Sequence, residues 1–342
     1  MTDDTQRRPV IRRRDPVRES VSVHREWHGS TLPALVRARG LDVDLQQWIR
    51  DHSDTVDALA HAAGAVLFRG FPVTEAADFR RAMDALSKEV LGYGERSSPR
   101  SEVVSGVYTS TDHPPDEPIV LHNEQSYTLD WPMRIVFCCT IEPDADGRTP
   151  LADSRRVLAR LRPDVVSRFT RTGIRYVRNY LPGISLSWQE AFQTERRDHV
   201  EEYCRAADIR WEWLGADHLR TTQVRAAVRT HPVTGEASWF NHALFFHVSS
   251  LPPEVSEELR TALPEEHLPY NTYYGDGQRI DDEVLAELRA AYDAETIAFD
   301  WRQGDVLLVE NMLVAHGREP YRGRRRILAA MSDPYSSAGV PA

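Results

Sequence analysis

Two histidines and one carboxylate stand out by type and spacing: His122 and Glu124, separated by Asn123, and a distant His316. Such a set holds Fe(II) on one face and leaves the opposite face open to oxygen and a co-substrate. It also suits catalytic zinc. In an extended strand, side chains i and i+2 share a face. A strand over 119–124 therefore presents His122 and Glu124 together and turns Asn123 away. His316 ends an apolar run, 306–315, whose strand character carries the ring toward the interior. Downstream lie Arg324, Arg325 and Arg326, followed at once by an apolar stretch. A guanidinium entering a buried strand is costly unless an anion meets it, and its planar fork matches a carboxylate. Arg326, the last before the apolar residues, is the expected inward anchor of an anionic co-substrate. Arg325 takes that role if the register slips by one, because the slip exchanges the two faces of the strand.

The elements that must position these groups are predicted as follows. Residues 43–62 read as one or two amphipathic helices, with Leu45, Trp48, Ile49, Val56 and Leu59 on the apolar side. GAVLFRG at 64–70 is a short buried strand between glycines. A helix over 74–90 takes Thr74 as its N-cap and Phe79, Met83 and Leu86 as its stripe. RIVFCCTI at 134–141 is a second buried strand. Asp153 caps a helix running to Leu161. Further strands are expected over 236–246, 297–301 and 306–310, and further helices over 253–263 and 281–294. The 180–225 region carries aromatics and mixed charges without strand periodicity, so helices and loops forming an inserted lid are expected there. Strands spread along the chain with helices at the start and between predict a barrel or a two-sheet jelly roll.

Bulk properties narrow the function classes. The 342 residues suffice for one elaborated domain, expected over 26–342 after a flexible arginine-rich arm at 1–25. A net charge of −10 argues against nucleic-acid and membrane-surface partners. No segment is long and apolar enough to span a bilayer. Three cysteines, Cys138, Cys139 and Cys204, give no disulfide framework, which suits a reducing cytoplasm. No HExxH or GxSxG motif is present. Gly92-Tyr-Gly94 and Gly275-Asp-Gly277 lack the third glycine of a dinucleotide loop. Nothing in the charge pattern sets an oligomeric state.

The chain resembles the TauD/TfdA family of Fe(II)- and 2-oxoglutarate-dependent dioxygenases, and within it the SyrP-like amino-acid hydroxylases of peptide natural-product pathways. The matching segments are GAVLFRGFPV at 64–73, LHNEQSY at 121–127, GRTPLAD at 147–153, RTHPVTGEASWFN at 229–241 and ENMLVAHGREPYRGRRRILAAM at 310–331. They run through most of the chain in family order. The resemblance implies a mainly β fold with flanking helices, the double-stranded β-helix (a cupin-like jelly roll) of clavaminate synthase and taurine dioxygenase. It implies Fe(II) held by His122, Glu124 and His316, with 2-oxoglutarate and O2 as co-substrates. Thr149 is implied to hydrogen-bond the distal carboxylate of 2-oxoglutarate beside Arg326. Ser126, Leu244 and Phe245 fall near the expected substrate pocket, although core packing is the first reading of Leu244 and Phe245; His231 and His242 read as structural, with lining of the pocket as the alternative.

Two departures bear on the reaction. The taurine enzyme carries a further arginine four residues beyond its co-substrate arginine, and Ala330 stands there here, which disfavours a sulfonate. Glu124 is retained where related halogenases carry a small residue, which favours hydroxylation or another oxidation over halogenation. The implied substrate is an amino acid or a carrier-bound aminoacyl unit. Desaturation or cyclisation by the same iron oxidant is the alternative, and a zinc hydrolase is the next.

Overall fold

The computed structural model describes residues 20–40, 42–87, 89–91, 102–110 and 113–338. The leader up to residue 19 and the Gly92–Gly94 segment lie outside these residues. The last part of the expected flexible arm is ordered as a strand, Val21–His24, paired antiparallel with Ala34–Ala38.

Two sheets lie face to face. The larger runs in the order Val21–His24, Ala34–Ala38, Ala65–Arg69, Val306–Glu310, Asp130–Ile141, Arg326–Ser336, Val107–Thr109, Glu102–Val104, with Val90–Leu91 also paired to Arg326–Ser336. The smaller runs Thr296–Ile297, Leu151–Asp153, Val314–Arg318, Ile119–His122. Neighbours in space are far apart in sequence, and this, with the packing of the two sheets, makes a jelly roll.

The two-residue period of the strands sorts the core. Ala65, Leu67, Ile135, Phe137, Cys139, Leu307, Val309, Ile327 and Ala329 point between the sheets and meet Leu151 and Val314 of the smaller one. Their neighbours Val66, Phe68, Val136, Cys138, Val306, Leu308, Leu328 and Ala330 point the other way. There they bury the stripes of three helices, Leu45–Asp51, Ser53–Ala63 and Ala76–Leu86. Both faces of these strands are buried, so they read as continuous apolar runs. The outer face of the smaller sheet, Ala152 and Ala315, packs with residues of Ser154–Arg160, Pro163–Thr172 and Asp282–Glu295.

Several predicted elements shift. The third helix starts at Ala76, two residues after Thr74, because a capping box of Glu75 and Asp78 satisfies its first turn. The 236–246 strand shrinks to Ala237–Trp239, and 297–301 contributes only Thr296–Ile297. The inserted region holds two short helices, Trp188–Phe192 and Arg197–Ala206. It also holds two unpredicted strands, Arg210–Trp213 and Leu219–Arg225, which join Ile174–Tyr180 and Tyr270–Tyr274 in a separate antiparallel sheet. The periodicity was hidden because Arg, Thr and Gln fill the alternate positions of Leu219–Arg225 (LRTTQVR).

Glu310 anchors a buried ion network beside the larger sheet. Its Oε1 accepts from Arg134 Nε at 2.8 Å, and Arg134 Nη2 reaches Asp57 Oδ1 at 2.6 Å. Burial pushes the Glu310 carboxyl up, but His231 and Arg134 more than offset this and hold it below its ordinary value. The network is therefore intact above the ordinary glutamate range and fails as pH falls through the lowered value. Arg134→Met strands a buried carboxylate, and an expected loss of about 3–5 kcal/mol is measurable by urea unfolding at neutral pH.

Candidate metal centre and co-substrate site

His316 lies on the Val314–Arg318 strand, two residues from the inward Val314, and so on the face that looks between the sheets. It pairs in register with His122 on one side and with Leu151 on the other. The two imidazoles are 4.5 Å apart, centroid to centroid. The strand that brings His122 stops at that residue: Ile119–His122 gives way to a turn, and Glu124 is not on a strand. Shared strand face is thus not what unites His122 and Glu124.

Asn311 does that work. Its Oδ1 accepts the Glu124 N–H at 2.7 Å, and its Nδ2 donates to the carbonyls of Glu124 at 2.9 Å and Pro132 at 2.8 Å. Asn123 Nδ2 in turn donates to the Asn311 carbonyl at 2.7 Å. Nothing in the sequence singled out Asn311; its neighbours in ENMLVAH gave the only hint. Asn311→Ala removes three buried hydrogen bonds and frees the turn. We expect metal affinity to fall about 10- to 100-fold, the usual effect of losing an outer partner of a ligand, measured by anaerobic Co(II) titration.

One ligand atom each from His122, Glu124 and His316 lies within 4.8 Å of the others, and all three residues are buried. Bonds of about 2.0–2.2 Å to a shared ion would draw them modestly closer. His122 Nδ1 lies 3.0 Å from the Val120 carbonyl, an acceptor that holds the proton on Nδ1 and turns Nε2 toward the ion. The donor set fits an octahedral metal with one open face.

A second cluster, His61, His231 and Glu310, brings its ligand atoms equally close, yet it does not suit a metal. His231 Nδ1 accepts the backbone N–H groups of Val233 at 3.3 Å and Thr234 at 3.1 Å. Its proton therefore sits on Nε2, which faces Glu310 at 3.7 Å and has no lone pair to offer. His231 is structural.

The co-substrate side follows from the same alternation. Ile327 and Ala329 face the interior while Leu328 and Ala330 face outward, so Arg325 continues the inner set and Arg326 the outer. Arg326, the expected anchor, is exposed, whereas Arg325, the fallback, is half-buried. The bulge here lies on the partner strand, where Arg326 faces Ile141 and Ile327 faces Cys139, so it leaves the arginine order unchanged. Arg325 Nε donates to the Gly147 carbonyl at 3.0 Å. Burial, aided by the charge of Arg318, brings its guanidinium down to about 10; it remains cationic at neutral pH. Thr149 is buried, and its Oγ1 accepts the Trp301 Nε1–H at 3.0 Å. That leaves the hydroxyl hydrogen available for an incoming carboxylate. Trp301 was not foreseen as its partner.

Of the pocket candidates, Phe245 lies 4.7 Å from His122, its ring tilted by 46°, and Ser126 Oγ lies 2.6 Å from His242 Nδ1. Leu244 and Phe245 both pack against the helical core. His242, read from sequence as structural, sits 5.7 Å from His122. Burial, then the charges of His122 and Arg178, keep it well below the ordinary histidine range, hence neutral.

Known proteins share this architecture. The sequence matches the family described as taurine catabolism dioxygenase TauD, TfdA family, over residues 28–331. It is 40% identical over 311 residues to the dapdiamide synthesis protein DdaC of Enterobacter agglomerans, covering 91% of this chain and 94% of that one. It is 30% identical over 295 residues to a clavaminate synthase-like protein of Arabidopsis thaliana, covering 83% and 86%. Among solved structures, AAD-2 in complex with Mn(II) and N-oxalylglycine superposes with a TM-score of 0.53 at 12% identity, covering 91% and 96%. A putative alpha-ketoglutarate dependent 2,4-D dioxygenase from Burkholderia xenovorans gives 0.52 at 16%, covering 94% and 100%. These two likenesses concern the fold. Family match, relatives and buried triad agree, and the chain belongs to the TauD/TfdA family as an iron- and 2-oxoglutarate-dependent dioxygenase.

Proposed function

We propose that this enzyme hydroxylates an unactivated C–H bond of an amino acid, free or carried as an aminoacyl unit, in the assembly of a peptide-like natural product. The observation that carries the oxidative chemistry is the buried triad with its carboxylate intact. The pathway reading is supported by the likeness to a dapdiamide synthesis protein. In this reading iron, 2-oxoglutarate and oxygen together supply an oxidant strong enough to break the C–H bond.

The chain's own part is to bind, orient and exclude water. His122, Glu124 and His316 hold the metal, and Asn311 fixes the backbone that presents Glu124. Arg325 and Thr149 grip the far carboxylate of 2-oxoglutarate, the first by a charge-assisted fork and the second by its hydroxyl. The apolar wall of Phe137 and Phe245, at 5.1 Å from His316 and 4.7 Å from His122, keeps the reacting face dry. A sulfonate substrate is disfavoured, because four residues past either arginine stands an alanine, Ala329 or Ala330.

The test is incubation of the purified protein with Fe(II), 2-oxoglutarate and a panel of free and carrier-linked amino acids. Succinate together with a product heavier by one oxygen is expected. A product lighter by two hydrogens would replace hydroxylation by desaturation or ring closure. Turnover that persists after His122→Ala would overturn the assignment of the metal ligands.

A further inference from the structure

One arginine ties down the loop ahead of the Ile119–His122 strand. Arg318 lies two residues past His316 on Val314–Arg318 and shares its inner face. The irregular pairing between them adds its extra residue to the Ile119–His122 strand, so the alternation is kept. Arg318 is 4% exposed. Its Nη1 donates to the His113 carbonyl at 3.0 Å, and its Nη2 to the carbonyls of Glu117 at 2.7 Å and Pro114. Its buried Nε–H has no hydrogen-bond partner. Every acceptor it meets is a neutral backbone oxygen. The Glu117 carboxylate is turned to His113 Nε2 instead, at 3.0 Å.

Arg325 is in a similar condition, with the Gly147 carbonyl as its acceptor. The two guanidiniums share one ring, each Cζ lying 5.4 Å from the centroid of Tyr321. The Tyr321 N–H donates at 2.8 Å to the Pro115 carbonyl, in the loop that Arg318 holds. Among the described residues neither cation pairs with a carboxylate. Burial lowers both guanidiniums, and the charge of Arg318 lowers Arg325 further. Two like charges withdrawn from water without a counter-ion are costly, and carbonyl dipoles offset only part of that cost. A single anion beside Tyr321 would relieve both.

We propose that Arg318 is a second cation of the co-substrate site, which acts through space to select a 2-oxo acid with an anionic far end over one whose far end is neutral. Its Nη donors are committed to the loop, so it needs no contact with the co-substrate. Arg325 makes the contact, and Arg318 raises the positive potential in which that contact forms. Arg318 is therefore a positioning residue for the loop and a specificity-determining one through its charge. One unit charge acting across a partly enclosed site is worth about 5- to 30-fold in affinity. This proposal rests on the co-substrate reading above and adds a source for its charge selectivity.

The test uses the full chain loaded with Mn(II), titrated calorimetrically with 2-oxoglutarate and with its 5-methyl ester, whose far end is neutral. Arg318→Gln should weaken 2-oxoglutarate about 5- to 30-fold and the ester by less than about twofold. Arg318→Lys, which keeps the charge, should recover most of the 2-oxoglutarate binding. An arginine that only held the loop would weaken both ligands alike. Equal losses, or unchanged 2-oxoglutarate binding in an Arg318→Gln protein that still melts cooperatively, overturn the proposal. A second arm leaves Arg318 in place and does not depend on how its variants fold. In Arg325→Gln the contacting cation is gone, yet 2-oxoglutarate should still bind about fivefold or more better than the ester. Equal binding of the two ligands there overturns the proposal as well. Failure of 2-oxoglutarate to bind the Mn(II)-loaded parent is a different result, and it strikes the co-substrate reading itself.

Discussion

Arg325→Ala is expected to raise the KM for 2-oxoglutarate by about two orders of magnitude, while Arg326→Ala leaves it within a factor of about two. Truncating one partner of a desolvated, hydrogen-bonded charge pair costs about 2–5 kcal/mol, and each 1.4 kcal/mol is about tenfold. Arg325 is half-buried, with the Gly147 carbonyl as a hydrogen-bond partner, and the far carboxylate of 2-oxoglutarate is the anion proposed to meet it. Arg326 is exposed, and its backbone carbonyl, not its side chain, makes the contact with Thr140 Oγ1 at 3.1 Å. Initial rates of succinate formation against 2-oxoglutarate concentration separate the two. Equal effects of both substitutions, or a larger effect at Arg326, would refute the register on which the site is built. Thr149→Ala should produce a smaller rise, because it removes a neutral donor, for which about 0.5–1.5 kcal/mol is typical.

The second large effect is expected at His316. His316→Ala deletes the proposed ligand that joins the two halves of the candidate centre, since this residue pairs with both His122 and Leu151. Iron content after anaerobic loading should drop to background, and no visible band should appear on adding 2-oxoglutarate. Coupled succinate formation should be undetectable. The fold should survive, because His316 lies toward the edge of the apolar interior and its strand keeps its backbone ladder. Far-UV circular dichroism and a cooperative melt check this. A variant that still binds iron stoichiometrically would show that the ion sits elsewhere.

The chemistry was legible in the sequence because it resides in residue types. His122, Glu124 and His316 were recognisable, as were the run of three arginines, the GRTPLAD segment with Thr149, and the continuous apolar runs of strands buried on both faces. The helices over Leu45–Asp51, Ser53–Ala63 and Asp282–Glu295 were equally plain, since their apolar stripes recur at helical spacing. The sheet within the inserted region was not. Its strands are partly exposed and carry arginine, threonine and glutamine, so their pairing depends on partners distant in sequence.

Amino-acid order alone pointed to the candidate ligand set, and it determined the class of cofactor and the overall plan of sheets with flanking helices. It could not choose between Arg325 and Arg326. A one-residue step exchanges the faces of a strand, and only the packing of Ile327 and Ala329 against the inner core settles which arginine turns inward. Nor could it show that Glu124 lies beyond the end of its strand and is held by Asn311, a residue 187 positions away in the chain. Side chains carry their chemistry with them, whereas register and convergence arise from long-range strand pairing and burial, which come into being only when the chain has folded.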